Sequence, residues 1–184
     1  MSRSLIQFID AALLPAALML IGKVIGLILT VQLFNIPITI VEAGNSLFSV
    51  RPQVLPQDLQ IVNTYSDMVM YLLVAAGFSF VLLQATRFHD THIKPALLIK
   101  LSNLNLLNLV KSSFDIYHYA AIWLLGIWLT TSLIVLNAAF GKTESWVALV
   151  TIVGSVIFTS ILLQDVYKEI ELARKNLGKF QALS

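Results

Sequence analysis

Two charged side chains sit where a charge is expensive. Lys23 falls inside an apolar run that extends from Leu5 to Phe34, and Asp67 opens a second run that begins at Met68. A lysine at the centre of a bilayer costs about 2.5–3.5 kcal/mol on insertion scales. Such a charge persists if it snorkels to water, finds a counter-charge, or works on an ion or proton. Asp67, with Glu42 as a second choice, is the carboxylate at matching depth, so Lys23 and Asp67 are expected to form a charge pair within the membrane. Asp10 is not a partner for Lys23. Thirteen residues separate them, about 19.5 Å along a helix and roughly 140° around it.

Gly22 and Gly26 bracket Lys23 in a Gly-x-x-x-Gly spacing. That spacing lets two helix backbones approach closely, so the lysine is expected at a helix–helix contact. The third apolar run carries Thr130, Thr131, Ser132 and Asn137, and with Lys23 these are the side chains that could line a path for a solute.

The histidines offer less. His89 and His92, with Asp90 between them, and Asp115 with His118 all lie on one side of the apolar runs. Histidines three apart on a helix can share a metal, but three histidines in the whole chain are sparse, and interfacial polar residues are the expected reading of His89, His92 and His118. Gly77-Phe78-Ser79 is the nearest approach to a serine nucleophile motif, and no span supplies a histidine to activate it. Neither a phosphate loop nor a dinucleotide fingerprint occurs. There is no cysteine, which removes disulfides, thiolate metal sites and cysteine nucleophiles together. The expectation is a non-enzymatic chain with no cofactor and no catalytic or metal-binding residue.

The elements that must hold these residues follow from composition. Of 184 residues, 58% are hydrophobic and only 12% charged. Soluble domains average about 25% charged, and a soluble chain of this size could not bury so much apolar surface. Four runs approach the roughly 20 apolar residues that a spanning helix needs, at about 11–34, 68–85, 119–140 and 146–163. None shows the alternation of a barrel strand. The fold class expected is all-α: a polytopic membrane protein, a single four-helix transmembrane bundle over 1–184. The leucine-rich stretch 96–110 is interrupted by Lys100, Ser102, Asn103, Asn105 and Asn108. It is expected to lie as an interfacial helical segment between spans two and three.

Basic residues set the orientation. The N-terminus, the segment 86–118 and the tail 164–184 carry nine lysines and arginines, whereas the opposite side carries only Arg51 and Lys142. The positive-inside rule therefore puts both termini in the cytoplasm, as in a multi-pass protein of the inner (plasma) membrane. An outer loop follows over 35–66, where Pro37, Pro52 and Pro56 disfavour a long helix and the alternation of Ile36, Ile38 and Ile40 favours a short extended piece. A net charge of +2 gives no reason to expect nucleic acid. The expected partners are membrane lipids and other membrane subunits, or a second copy through self-association. The leading functional expectation is a non-catalytic integral subunit or scaffold of a larger membrane assembly. The alternative is a small transporter or channel built on Lys23 and the polar residues of the third span.

Overall fold

The computed structural model describes residues 3–42, 50–87, 99, 102–104 and 113–181. Within them are four long helices, α1 (Arg3–Leu33), α2 (Pro56–Arg87), α3 (Ser113–Ala139) and α4 (Ser145–Gln181). A two-stranded antiparallel ribbon, β1 (Ile38–Glu42) with β2 (Val50–Val54), joins the first two. All four helices are long and apolar enough to cross a membrane. The runs 68–85 and 146–163 lie within longer helices, and so do 11–34 and 119–140 except for their last residues, Phe34 and Phe140. His89, His92 and Asp90 fall outside the described residues, and so does the stretch 96–110 apart from Ile99 and Ser102–Leu104.

The region 35–66 is not a loop throughout. Pro56 begins α2 instead of barring it, because a proline at the first helical position lacks only an N–H that would have no intrahelical acceptor. Asp58 follows in the first turn, where a carboxylate complements the helix dipole. The extended piece around Ile38 and Ile40 finds its partner in β2, with Ile40 opposite Pro52.

Helix ends are set by single residues. Asn35 adopts φ 50° just past α1, and the Ile36 N–H bonds back to the Val31 carbonyl at 3.0 Å. Gly141 plays the same role after α3 at φ 67°, with Lys142 N–H bonded to the Asn137 carbonyl at 2.8 Å. Both are left-handed caps that satisfy carbonyls at a helix terminus. The second makes a tight turn between α3 and α4 and brings 142–144 back against α2.

The core is centred on α2. Tyr71, Val74, Phe78, Val81 and Leu82 pack against Trp123, Ile127 and Ile134 of α3 and Val147 and Leu162 of α4. Phe78 meets Phe158 edge to face at 5.4 Å. The first helix packs on the edge of this core through Leu18 and Met19. Over residues 12–33, Pro15, Gly22, Gly26 and Thr30 are its buried positions, while Leu13, Leu20, Val24, Ile28 and Leu33 are exposed along the other side.

Candidate functional site

One face of α2 builds the polar centre of the molecule. Gln60, Thr64, Asp67, Tyr71, Val74 and Phe78 follow one another at intervals of four and three, so they form a single stripe on the helix. The Phe78 end of the stripe is apolar core. The Gln60 end is polar, and it faces the turn between α3 and α4.

Asp67 is the hub of that end and is fully buried. Lys23 Nζ of α1 donates to one carboxylate oxygen at 2.5 Å. Asn137 Nδ2, near the end of α3, donates to the other at 3.0 Å, and Thr143 Oγ1 from the turn donates to that same oxygen at 2.6 Å. Thus three elements outside α2 each send one donor to a single carboxylate. Such charge-assisted bonds are the strong class of hydrogen bond, and a buried carboxylate requires them. Two further contacts fasten the turn: Glu144 N–H donates to Thr64 Oγ1 at 3.0 Å, and Gln60 Nε2 donates to Glu144 Oε1 at 2.8 Å.

The glycines explain how Lys23 reaches its partner. A Cβ on Gly22 would lie 2.8 Å from Met70 Cα, and one on Gly26 would lie 2.6 Å from Ser66 Cα. Met70 and Ser66 flank Asp67 along α2, so the two helix backbones touch on either side of the ion pair. The lysine side chain keeps 32% of its surface accessible, whereas Asp67 keeps none.

Deeper in the bundle the hydroxyls pair with one another. Tyr71 Oη lies 3.3 Å from Ser155 Oγ, and Thr131 Oγ1 lies 2.7 Å from the same serine. Gly154 provides the space beside Ser155, since a Cβ there would collide with the Tyr71 hydroxyl. Thr130, Thr131 and Ser132 also donate to their own helix carbonyls at Gly126, Ile127 and Trp128. Ser132 is exposed while the two threonines are buried, so the polar residues of α3 do not share one face. Near the other end of the bundle, Tyr117 donates to Asp165 at 2.8 Å and ties α3 to α4.

The structure therefore brings together Lys23 and Asp67, with Gly22 and Gly26 at the same contact. His118 lies on the exposed face of α3. Among the described residues, no group of three histidine or acidic side chains is arranged to hold a metal. Asn137 joins the cluster, whereas Thr143, Thr64 and Gln60 went unnoticed in the sequence. The four-three spacing from Gln60 to Tyr71 was the signal that could have placed the last two.

Comparison with known protein families, curated proteins and solved structures finds no match to the chain.

Proposed function

We propose that this chain is a non-catalytic integral subunit of a larger membrane assembly, a four-span bundle of the inner (plasma) membrane with both termini in the cytoplasm. The observation that carries the reading is the saturation of Asp67. Its two oxygens take donors from α1, α3 and the α3–α4 turn, so its charge is committed to joining four elements of the fold. A carboxylate that relays ions or protons must exchange its partners, and one clamped by three donors is suited to holding helices in register. The exposed apolar side of α1 supports the same reading, because a partner's helix or lipid can cover it.

The depth of the cluster follows from helix lengths. Twenty residues separate Arg3 from Lys23 and Arg87 from Asp67, about 30 Å in each case at 1.5 Å per residue. That matches the hydrocarbon thickness of a bilayer. Placed this way, the exposed Lys142, Glu144 and Trp146 lie at the outer interface, where charges meet water and tryptophan is favoured. Lys23 then sits at the outer boundary instead of mid-span, and its accessible third reaches the headgroups.

Two experiments test the proposal. Purification from native membranes in mild detergent, followed by mass spectrometry, should recover a second membrane protein in fixed stoichiometry, and the chain alone in proteoliposomes should conduct nothing. Recovery of the chain without a partner, together with a flux that a folded Lys23→Met variant loses, would overturn it in favour of a transporter. For orientation, cysteines introduced singly at Ser49 and Ser145 should react with an impermeant reagent on intact cells, and those at Ser102 and Ser184 should not. The reverse pattern contradicts the topology.

A further inference from the structure

One ridge of α1 changes character halfway along. Leu14, Leu18, Gly22 and Gly26 follow at intervals of four and form a single line on the helix. The two glycines let α1 lie backbone to backbone on α2, and the two leucines do not. An added Cβ on Gly77 would lie 3.1 Å from Leu18 Cδ1, so at this level a side chain holds the helices apart. The result is a cleft of about 360 Å³, walled by Leu14 and Leu18 of α1 and by Gly77, Phe80 and Gln84 of α2, with the buried Trp123 of α3 as its floor. Gly77 also seats that floor, since a Cβ there would meet the Trp123 ring at 2.5 Å. None of the residues lining the cleft is charged.

Gln84 stands out in this setting. Ten polar or charged side chains are buried among the described residues, and nine of them are hydrogen-bonded within the chain. The tenth is Gln84, which is 8% exposed and has no hydrogen-bond partner among the described residues. An amide in hydrocarbon needs a partner, because no water is there to supply one. The Trp123 indole N–H also lacks an acceptor, but it is fully covered, so the Gln84 amide is left to meet whatever enters the cleft.

Depth identifies the occupant. With Arg87 at the inner boundary, Gln84 lies about 4.5 Å inside the hydrocarbon and Gly77 about 15 Å inside. The cleft therefore runs through one leaflet, polar at its boundary end and apolar for about 10 Å beyond. A glycerolipid entering sideways from the bilayer has the same order: its ester carbonyl sits where headgroup meets chain, and its acyl chain runs inward. Uncharged walls suit an ester and a chain, and they offer nothing to a phosphate. We propose that the cleft between α1 and α2 holds one acyl chain of an inner-leaflet glycerolipid, with the Gln84 amide N–H donating to the ester carbonyl oxygen. The site rests on the membrane placement given above, and it does not depend on whether other proteins attend the chain.

The full-length chain, stripped of lipid in mild detergent, is offered phosphatidylcholine with ester-linked chains or its ether-linked counterpart of equal chain length, which has no carbonyl. Bound lipid is counted by native mass spectrometry. The proposal expects one ester lipid held per chain, and the ether lipid held about fivefold more weakly, the weight of a single net hydrogen bond. In Gln84→Leu the ester lipid should fall to the level of the ether lipid, while the thermal midpoint holds or rises because an unpaired amide is gone. Leu18→Phe should fill the cleft and weaken both lipids, and Leu14→Phe serves the same end if that variant does not fold. Leu29→Phe, on the outer part of α1, should change neither. Equal binding of the two lipids by the original chain would overturn the proposal, as would a difference that survives in Gln84→Leu. A disulfide between Phe80→Cys and a cysteine placed within 96–110 would mean that the chain's own segment fills the cleft, and would overturn it too. Cysteine labelling that reverses the topology would overturn the inner-leaflet assignment and leave the contrast between ester and ether standing, so the two failures are told apart.

Discussion

Replacing Gly26 with alanine asks whether α1 truly lies backbone to backbone on α2. In an isolated helix this change stabilises by roughly 0.5–1 kcal/mol, because glycine loses more freedom on folding. In the folded chain the new methyl would lie 2.6 Å from Ser66 Cα, 2.9 Å from the Ser66 carbonyl oxygen and 2.9 Å from Val69 Cβ. Carbon atoms pack at about 3.5–4.0 Å, so α1 must move away by about 1 Å. Two of the three obstacles are backbone and cannot turn aside. Overpacking of this kind costs about 1–3 kcal/mol, and the displacement also pulls on Lys23 one turn away. The expected net effect of Gly26→Ala is a loss of about 2 kcal/mol, or ~4–8 °C in the thermal midpoint followed by tryptophan fluorescence in detergent. The sign decides. If Gly26→Ala raises the midpoint, the close approach is wrong, and the placement of Lys23 beside Asp67 is wrong with it.

Gly141→Ala provides a contrast. No atom lies within 4 Å of the added carbon, but φ is 67°, so a loss of about 1 kcal/mol from left-handed backbone strain is expected. The shift should leave the reactivity of an impermeant amine reagent with Lys23 unchanged. Ser155→Ala should cost about 1–3 kcal/mol by leaving the Tyr71 hydroxyl buried without its partner, whereas Tyr71→Phe should cost about 1 kcal/mol, because Ser155 keeps Thr131 and its own helix carbonyl. Equal losses in the two variants, read by the same thermal assay, would contradict that network.

The four helices were legible because lipid imposes a length and a composition that no other segment matches. The pairing of Lys23 with Asp67 was legible because an isolated charge in an apolar run needs a counter-charge, and few carboxylates had the right depth. Other features were not. Pro56 reads as a helix breaker until its place at the first position of α2 is known. Thr143 belongs to a five-residue turn with no periodicity, and its approach to Asp67 depends on where Gly141 redirects the chain. The depth of Lys23 was open in the sequence, because the apolar run around it extends from Leu5 to Phe34. The structure adds that α3 ends and α4 begins beside it, which no periodicity announces.

A double-mutant cycle on Lys23 and Asp67 bears most directly on the central claim, that this pair is a structural clasp. Lys23→Met leaves a fully buried carboxylate with two neutral donors, Asn137 and Thr143. Removing one partner of a buried pair costs about 3–5 kcal/mol, reduced here to roughly 2–3 because Lys23 is partly exposed and those donors remain. Asp67→Asn alone should cost less, because the freed lysine can turn to water. In the double variant Lys23→Met with Asp67→Asn, both charges are gone and the amide oxygen still accepts from Asn137 and Thr143. The account predicts a double variant within about 1 kcal/mol of the original chain and a coupling energy of about 2 kcal/mol. A coupling near zero, with the two losses simply adding, would contradict it.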